Sequence, residues 1–173
     1  MKEKIVISIS FYAPIYNFGT RIANIKDNKM KHKGALAEYS KERLDDLMRV
    51  YDEYLTSCGY IRMPEVYNTI VNMPSTRFWV SDKRAEVVIS AIMRGENVLQ
   101  GMWSLKREMY EEIYLRVIAL RKKNPHLSTA KLCAIVVCEP APKFYLTPET
   151  AKAMVCKARK EWIRRKQARL HLL

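Results

Sequence analysis

The sequence predicts an all-α body of two tandem three-helix repeats, with an extended N-terminal strand or arm and a basic C-terminal helix. Three observations predict it. From Ser40 onward the apolar residues recur with the 3.6-residue period of an amphipathic helix. Prolines and glycines cut that pattern into six pieces. The grammar of residues 42–94 then returns at 108–160, and a repeat sets the fold.

The N-terminal residues come first. In residues 4–12, Ile5, Ile7, Ile9 and Phe11 alternate with Val6, Ser8 and Ser10, the period of a strand. Residues 13–35 have no period and hold Pro14, Gly19, Asn24, Asn28 and Gly34, so 1–35 reads as an extended arm. Its apolar stretch follows Lys2 and Lys4, but Pro14 interrupts it and no small-residue cleavage site follows. Export is therefore not expected, and the expected location is the cytoplasm or a virion assembled there. The change in character near Met30 leaves that residue open as an alternative start.

The first repeat spans residues 36–94. Leu44, Leu47, Met48, Tyr51, Tyr54, Leu55 and Cys58 line one helical face, and Gly59 ends that helix. Pro64 opens a second helix with Glu65 beside it, and Val66, Tyr67, Ile70 and Val71 form its buried face. Pro74 stops it. The segment Arg77-Phe78-Trp79-Val80 is extended. Ser81 caps a third helix, Asp82 to Arg94, with Ala85, Val88, Ile89 and Ile92 inward and Gly95 as its stop.

Residues 95–105 form a linker, and the second repeat occupies 106–160. Tyr110, Ile113, Tyr114, Val117 and Leu120 make its first helical face, broken at Asn124-Pro125. Ser128 caps the next helix, which carries Leu132, Cys133, Val136 and Val137 and stops at Pro140 and Pro142. Phe144-Tyr145-Leu146 is extended. Thr147 caps the last helix with Pro148 at its first position. Ala151, Met154, Val155, Ala158 and Trp162 face inward, and residues 161–173 extend that helix.

An offset of 66 residues superposes the two halves without a gap: Glu108 on Glu42, Val137 on Val71, Pro140 on Pro74, Phe144 on Phe78, Ala151 on Ala85. Proline, base, Phe, aromatic, aliphatic and hydroxyl cap recur in order. The expected role of each motif is to end helix two, drop Phe and its aromatic neighbour into its own three-helix core, and cap helix three. Trp79 and Tyr145 are amphipathic enough to face a partner instead.

Charge separates the ends from the middle. The chain of 173 residues carries a net charge of +13. Seven bases face two acids in residues 1–35, and seven face one in 157–173, while the long middle is nearly neutral. Basic ends attract phosphate without regard to sequence. A solvated, solubilising role for those ends is the alternative.

Enzyme chemistry is not expected. His32, His126 and His171 are scattered, and the chain has five glycines and no phosphate loop. Cys133, Cys138 and Cys156 lack a zinc spacing and, with Cys58, suit free thiols in a reducing compartment. Asp45-Asp46 and Glu111-Glu112 hold matching repeat positions but cannot converge on a metal as helix neighbours, so they are expected to offset helix dipoles near N-termini. No cofactor, metal, membrane or small-molecule substrate is expected.

A tri-helical unit with a basic third helix resembles the helix-turn-helix DNA-binding domain, whose third helix enters the major groove. The resemblance implies nucleic-acid contact by Lys83, Arg84 and Arg94 in the first repeat. In the second it implies Lys152, Lys157, Arg159, Lys160, Arg164 and Arg165. In this chain about ten residues separate helices two and three, more than the short turn of that family. Lys166 and Arg169 continue the basic run past the core. The motif Pro-x-x-base-Phe-aromatic-aliphatic-hydroxyl before a basic helix also resembles small proteins of phages and mobile elements of gut Bacteroidales. That resemblance implies a virion component or a DNA-associated regulator.

Two functions follow as expectations. The first is a non-enzymatic structural or assembly protein of a phage or mobile element. It would be held to other subunits by Phe11, Tyr12, Tyr16 and Phe18 of the arm and by Trp103 of the linker, and its basic ends would touch nucleic acid. The alternative is a DNA-binding transcriptional regulator with tandem helix-turn-helix-like units.

Overall fold

A computed structural model describes residues 32–170, with side chains described for 39–168. The expected strand at 4–12 and the arm contacts Phe11, Tyr12, Tyr16 and Phe18 lie outside the described residues. Within them the protein is all-α. The helices are α1 (His32–Ser57), α2 (Met63–Val71), α3 (Asp82–Met93), α4 (Ser104–Lys123), α5 (Thr129–Val137) and α6 (Pro148–Leu170).

The punctuation works as the residue types dictate. Pro64 sits in the first turn of α2, where the missing N–H is no loss. Ser81 accepts a hydrogen bond from the Arg84 backbone N–H at 3.3 Å, and Ser128 accepts one from Lys131 N–H at 3.4 Å. The Thr147 hydroxyl accepts one from Thr150 N–H at 3.2 Å. Each satisfies a donor that the helix start leaves orphaned. Gly95 follows α3 at φ +82°, a conformation that L side chains adopt only at a cost. The first helix starts earlier than its periodic face at Ser40 indicates, at His32.

The helices gather into two cores. One joins α3, α4 and α5 around Phe78, Ala85, Val88, Ile89, Tyr110, Ile113, Val117, Leu132, Cys133, Val136 and Val137. The other joins α1, α2 and α6 around Leu47, Val50, Tyr51, Val66, Tyr67, Ile70, Phe144, Ala151 and Val155. The third helix of each sequence half therefore packs on the first two helices of the other half. Most residues read as inward face these cores, whereas Leu44, Cys58, Ala158 and Trp162 are half-buried and belong to neither; the partner helices differ from those expected. One core is contiguous in the chain. The chain's two flanks build the other.

The connecting segments explain the exchange. Pro74 and Pro140 bar continuation of the preceding helices, and the chain then bends past a single bridged residue, at 76–77 and 79–80 in one segment and at 142–143 in the other, before the third helix begins. The two segments meet in antiparallel fashion. Ser75 N–H donates to Ala141 O at 3.0 Å, and Ala141 N–H donates back to Ser75 O at 3.1 Å. Phe78 N–H donates to Val137 O at 3.1 Å, and Phe144 N–H donates to Val71 O at 3.0 Å.

Within each segment, neighbouring side chains go to different cores, and Val80 N–H donates to Phe78 O at 2.9 Å in a tight turn about Trp79. Phe78 and Val80 enter the α3–α4–α5 core, whereas Trp79 packs against the α1–α2–α6 core. Phe144 and Leu146 enter the latter, and Tyr145 packs against the former. This corrects the expectation that Phe and its aromatic neighbour share one core. Tyr145 takes φ +52° and stacks on Phe78 with centroids 6.2 Å apart.

Candidate nucleic-acid interface

The basic residues singled out by the sequence fall on two helices in different cores. On α6, Ala151 and Val155 are buried, and Ala158 and Trp162 are half-buried along the same stripe. At 100° per residue, Lys152, Arg159 and Lys166 flank that stripe on one side, and Lys157, Lys160 and Arg164 occupy the outward arc. All six are exposed, as is Arg165. From Ile163 to Ala168 every residue is exposed, so this end of α6 stands clear of the described body on all sides. The Arg169 side chain lies outside the described residues.

The charges on α6 are unevenly compensated. Glu161 binds Arg164 at 2.8 Å and Arg165 at 3.1 Å, and those two guanidinium groups hold its carboxyl below the ordinary glutamate range. Lys166 lies 5.0 Å from the centroid of the Trp162 ring. The Arg159 guanidinium reaches the Tyr51 hydroxyl at 3.5 Å. Lys152, Lys157 and Lys160 form no ion pair among the described residues. A shallow groove along Ala153, Cys156, Lys157, Lys160, Glu161 and Arg164 runs beside them.

On α3, Lys83 and Arg84 are exposed in the first turn. Burial raises the Tyr110 hydroxyl of α4, and the nearby Arg84 guanidinium works against that rise. Arg94 caps the other end of α3 and pairs with Glu96 at 2.6 Å. Lys83 and Arg94 thus sit at opposite ends of that helix. The helix pair that the sequence reading places in a helix-turn-helix, α2 with α3, is split between the two cores.

Trp103 immediately precedes α4 and is 83% exposed, the most exposed large apolar side chain among the described residues. Tyr60 is 78% exposed beside Ile61 and Met63, a patch at the α1–α2 loop that periodicity does not single out. Its signal was available: three large apolar residues sit outside any helical face.

The aromatic and acidic residues have structural duties. Asp46 is 6% exposed and belongs to the interior of α1, not its N-terminal turn. Its carboxylate accepts hydrogen bonds from Arg49 Nη2 at 2.9 Å, Thr76 N–H at 3.0 Å and Trp79 Nε1 at 3.2 Å. Glu112, likewise inside α4, accepts from Arg116 at 2.7 Å, and Arg116 also donates to Pro140 O at 2.9 Å. The dipole role expected for these acid pairs is therefore corrected: Asp46 and Glu112 tie helices to the crossing segments or to the arginine that does so. Trp79 likewise donates its indole N–H inside the chain.

Among the described residues there is no group of three His, Cys, Asp or Glu side chains placed to hold a metal, and no helix is long and apolar enough to cross a membrane. Cys133 is buried, Cys58 and Cys156 are half-buried, and Cys138 is exposed. Burial pushes the Cys133 thiol up to about 11, with Glu86 adding to the effect.

No protein-family model, curated protein or solved structure matches the chain.

Proposed function

We propose that this is a non-enzymatic assembly protein that contacts nucleic acid through α6, and whose body is built from two copies of one helical unit. The observation that carries the nucleic-acid reading is the α6 surface: three lysines without acid partners among the described residues, on a helix whose last described turns are exposed all round. Lysines spaced around a helix offer point charges to phosphates and no fixed fork for a base edge. The contact is therefore sequence-independent. The two-copy reading is supported by a matched pair of hydrogen bonds, Phe78 to Val137 and Phe144 to Val71, whose donors are 66 residues apart and whose acceptors are 66 residues apart.

Assembly with other subunits rests on exposed Trp103 and on the arm residues Phe11, Tyr12, Tyr16 and Phe18. The phage or mobile-element setting rests on the sequence resemblance alone. A regulator remains the second reading. It is favoured by one observation, that each core still unites three helices, with Lys83 and Arg84 exposed at the start of α3.

Fluorescence anisotropy of a labelled duplex tests the contact. We expect log affinity to fall linearly with log salt, and Lys152→Glu/Lys157→Glu/Lys160→Glu to weaken binding at least about tenfold for two unrelated duplexes alike. Affinity that survives the triple variant, or that depends on duplex sequence and on Lys83 and Arg84, replaces this reading with the regulator.

A further inference from the structure

Arginine is the side chain that cannot shed its charge when buried. Arg43 of α1 and Arg77 of the first crossing segment are both half-buried, and neither has an acid partner among the described residues. Each keeps a buried Nε with no hydrogen-bond partner among the described residues, and the buried Tyr39 hydroxyl also has none there. Three orphaned polar atoms are costly, because each has given up water without a replacement.

They belong to one place. The Arg77 guanidinium lies 5.8 Å from the Tyr39 ring and 5.8 Å from the Trp79 ring, and those rings meet edge-on with centroids 5.5 Å apart. Arg43 and Arg77 both act on the Tyr39 hydroxyl electrostatically, and the Tyr110 hydroxyl is within the same reach. Tyr110 in turn feels the charge of Arg84. The cluster therefore sits in the seam between the two cores, with α1 on one side and α3 and α4 on the other. Glu42, exposed on α1, is an acid that acts on Tyr39, and it makes no ion pair with either arginine among the described residues.

We propose that this seam is an oxyanion site that takes a phosphate group, held by Arg43 and Arg77, with the Tyr39 hydroxyl as a neutral donor and Arg84 at the rim. Burial pushes Tyr39 up to about 12, so it keeps its proton and donates at neutral pH. Burial also lowers Arg43, an effect that Tyr39 opposes. A dianionic phosphate supplies the missing charge and acceptors for all three orphaned atoms. The site is distinct from the α6 lysines and does not depend on them. Free phosphate and a nucleic-acid phosphate share this chemistry.

The test is the thermal midpoint of the full chain against inorganic phosphate, against pTpT and TpT, and against chloride at matched ionic strength. A saturable rise with inorganic phosphate, or with pTpT but not TpT, supports a site for a free or terminal phosphate. A saturable rise with both dinucleotides but not with inorganic phosphate supports a strand phosphate. A rise no larger than chloride gives overturns the proposal. Arg43→Gln is expected to abolish the rise, and Lys152→Glu/Lys157→Glu/Lys160→Glu to retain it; the reverse pattern assigns the effect to α6 and overturns the seam. Without phosphate, Arg43→Gln is expected to be at least as stable as the parent, because it removes an unpaired desolvated charge. An equal loss of stability with and without phosphate makes Arg43 merely structural and refutes the site. Arg77→Gln repeats the test from the other segment.

Discussion

Ser75 and Ala141 exchange both of their backbone hydrogen bonds, at 3.0 and 3.1 Å, where the two connecting segments cross. Everything after that crossing is exchanged: α3 joins α4 and α5, and α6 joins α1 and α2. The two sequence halves are thus bound by buried side chains as well as by the chain itself.

A cut in the linker should leave the particle whole. Gly95, Glu96, Gln100 and Gly101 are exposed, so a protease site inserted after Gln100 is accessible. Both pieces are expected to elute together after cleavage and to separate only in denaturant. Elution as two independently folded pieces contradicts the exchanged packing.

Phe78 is fully buried and belongs to the core of the other half's helices. Phe78→Ala is expected to cost about 3–5 kcal/mol, the usual loss for emptying a buried aromatic site. Chemical denaturation measures it. A loss below 1 kcal/mol, on the order of an exposed-site change, places Phe78 outside the core.

Asp46 joins α1 to Thr76 and Trp79 of the first crossing segment. Asp46→Ala leaves the Thr76 N–H and the Trp79 indole N–H without their acceptor and is expected to cost about 2–4 kcal/mol. Asp46→Asn keeps an acceptor and should cost less. Equal stability of all three proteins in urea would remove Asp46 from the account.

Cys133 and Cys138 differ in burial, and the Cys133 thiol is pushed up to about 11. A raised value means less thiolate at any pH below it, so Cys133 should resist alkylation. At mildly alkaline pH, peptide mapping should show Cys138 labelled first and Cys133 only on unfolding. Labelling of Cys133 at the rate of Cys138 contradicts the core.

Much of this fold is legible in the sequence. Pro64, Ser81, Ser128 and Thr147 mark helix starts because each satisfies or removes an orphan donor locally. The exchange of helices is not legible from periodicity, which identifies an apolar face but not what it meets. Ala85, Val88 and Ile89 offer much the same small-then-branched face as Ala151, Met154 and Val155, so either third helix suits either pair. The α6 lysines are visible as a basic run. The arginine seam is not, because Arg43, Arg77 and Arg84 come from three elements that only the crossing brings together.

Light scattering with and without duplex DNA, at two salt concentrations, tests the assembly claim most directly. The account predicts a discrete oligomer that forms without DNA, keeps its mass at high salt, and takes up DNA only at low salt. A monomer under every condition that fails to take up DNA at low salt contradicts it.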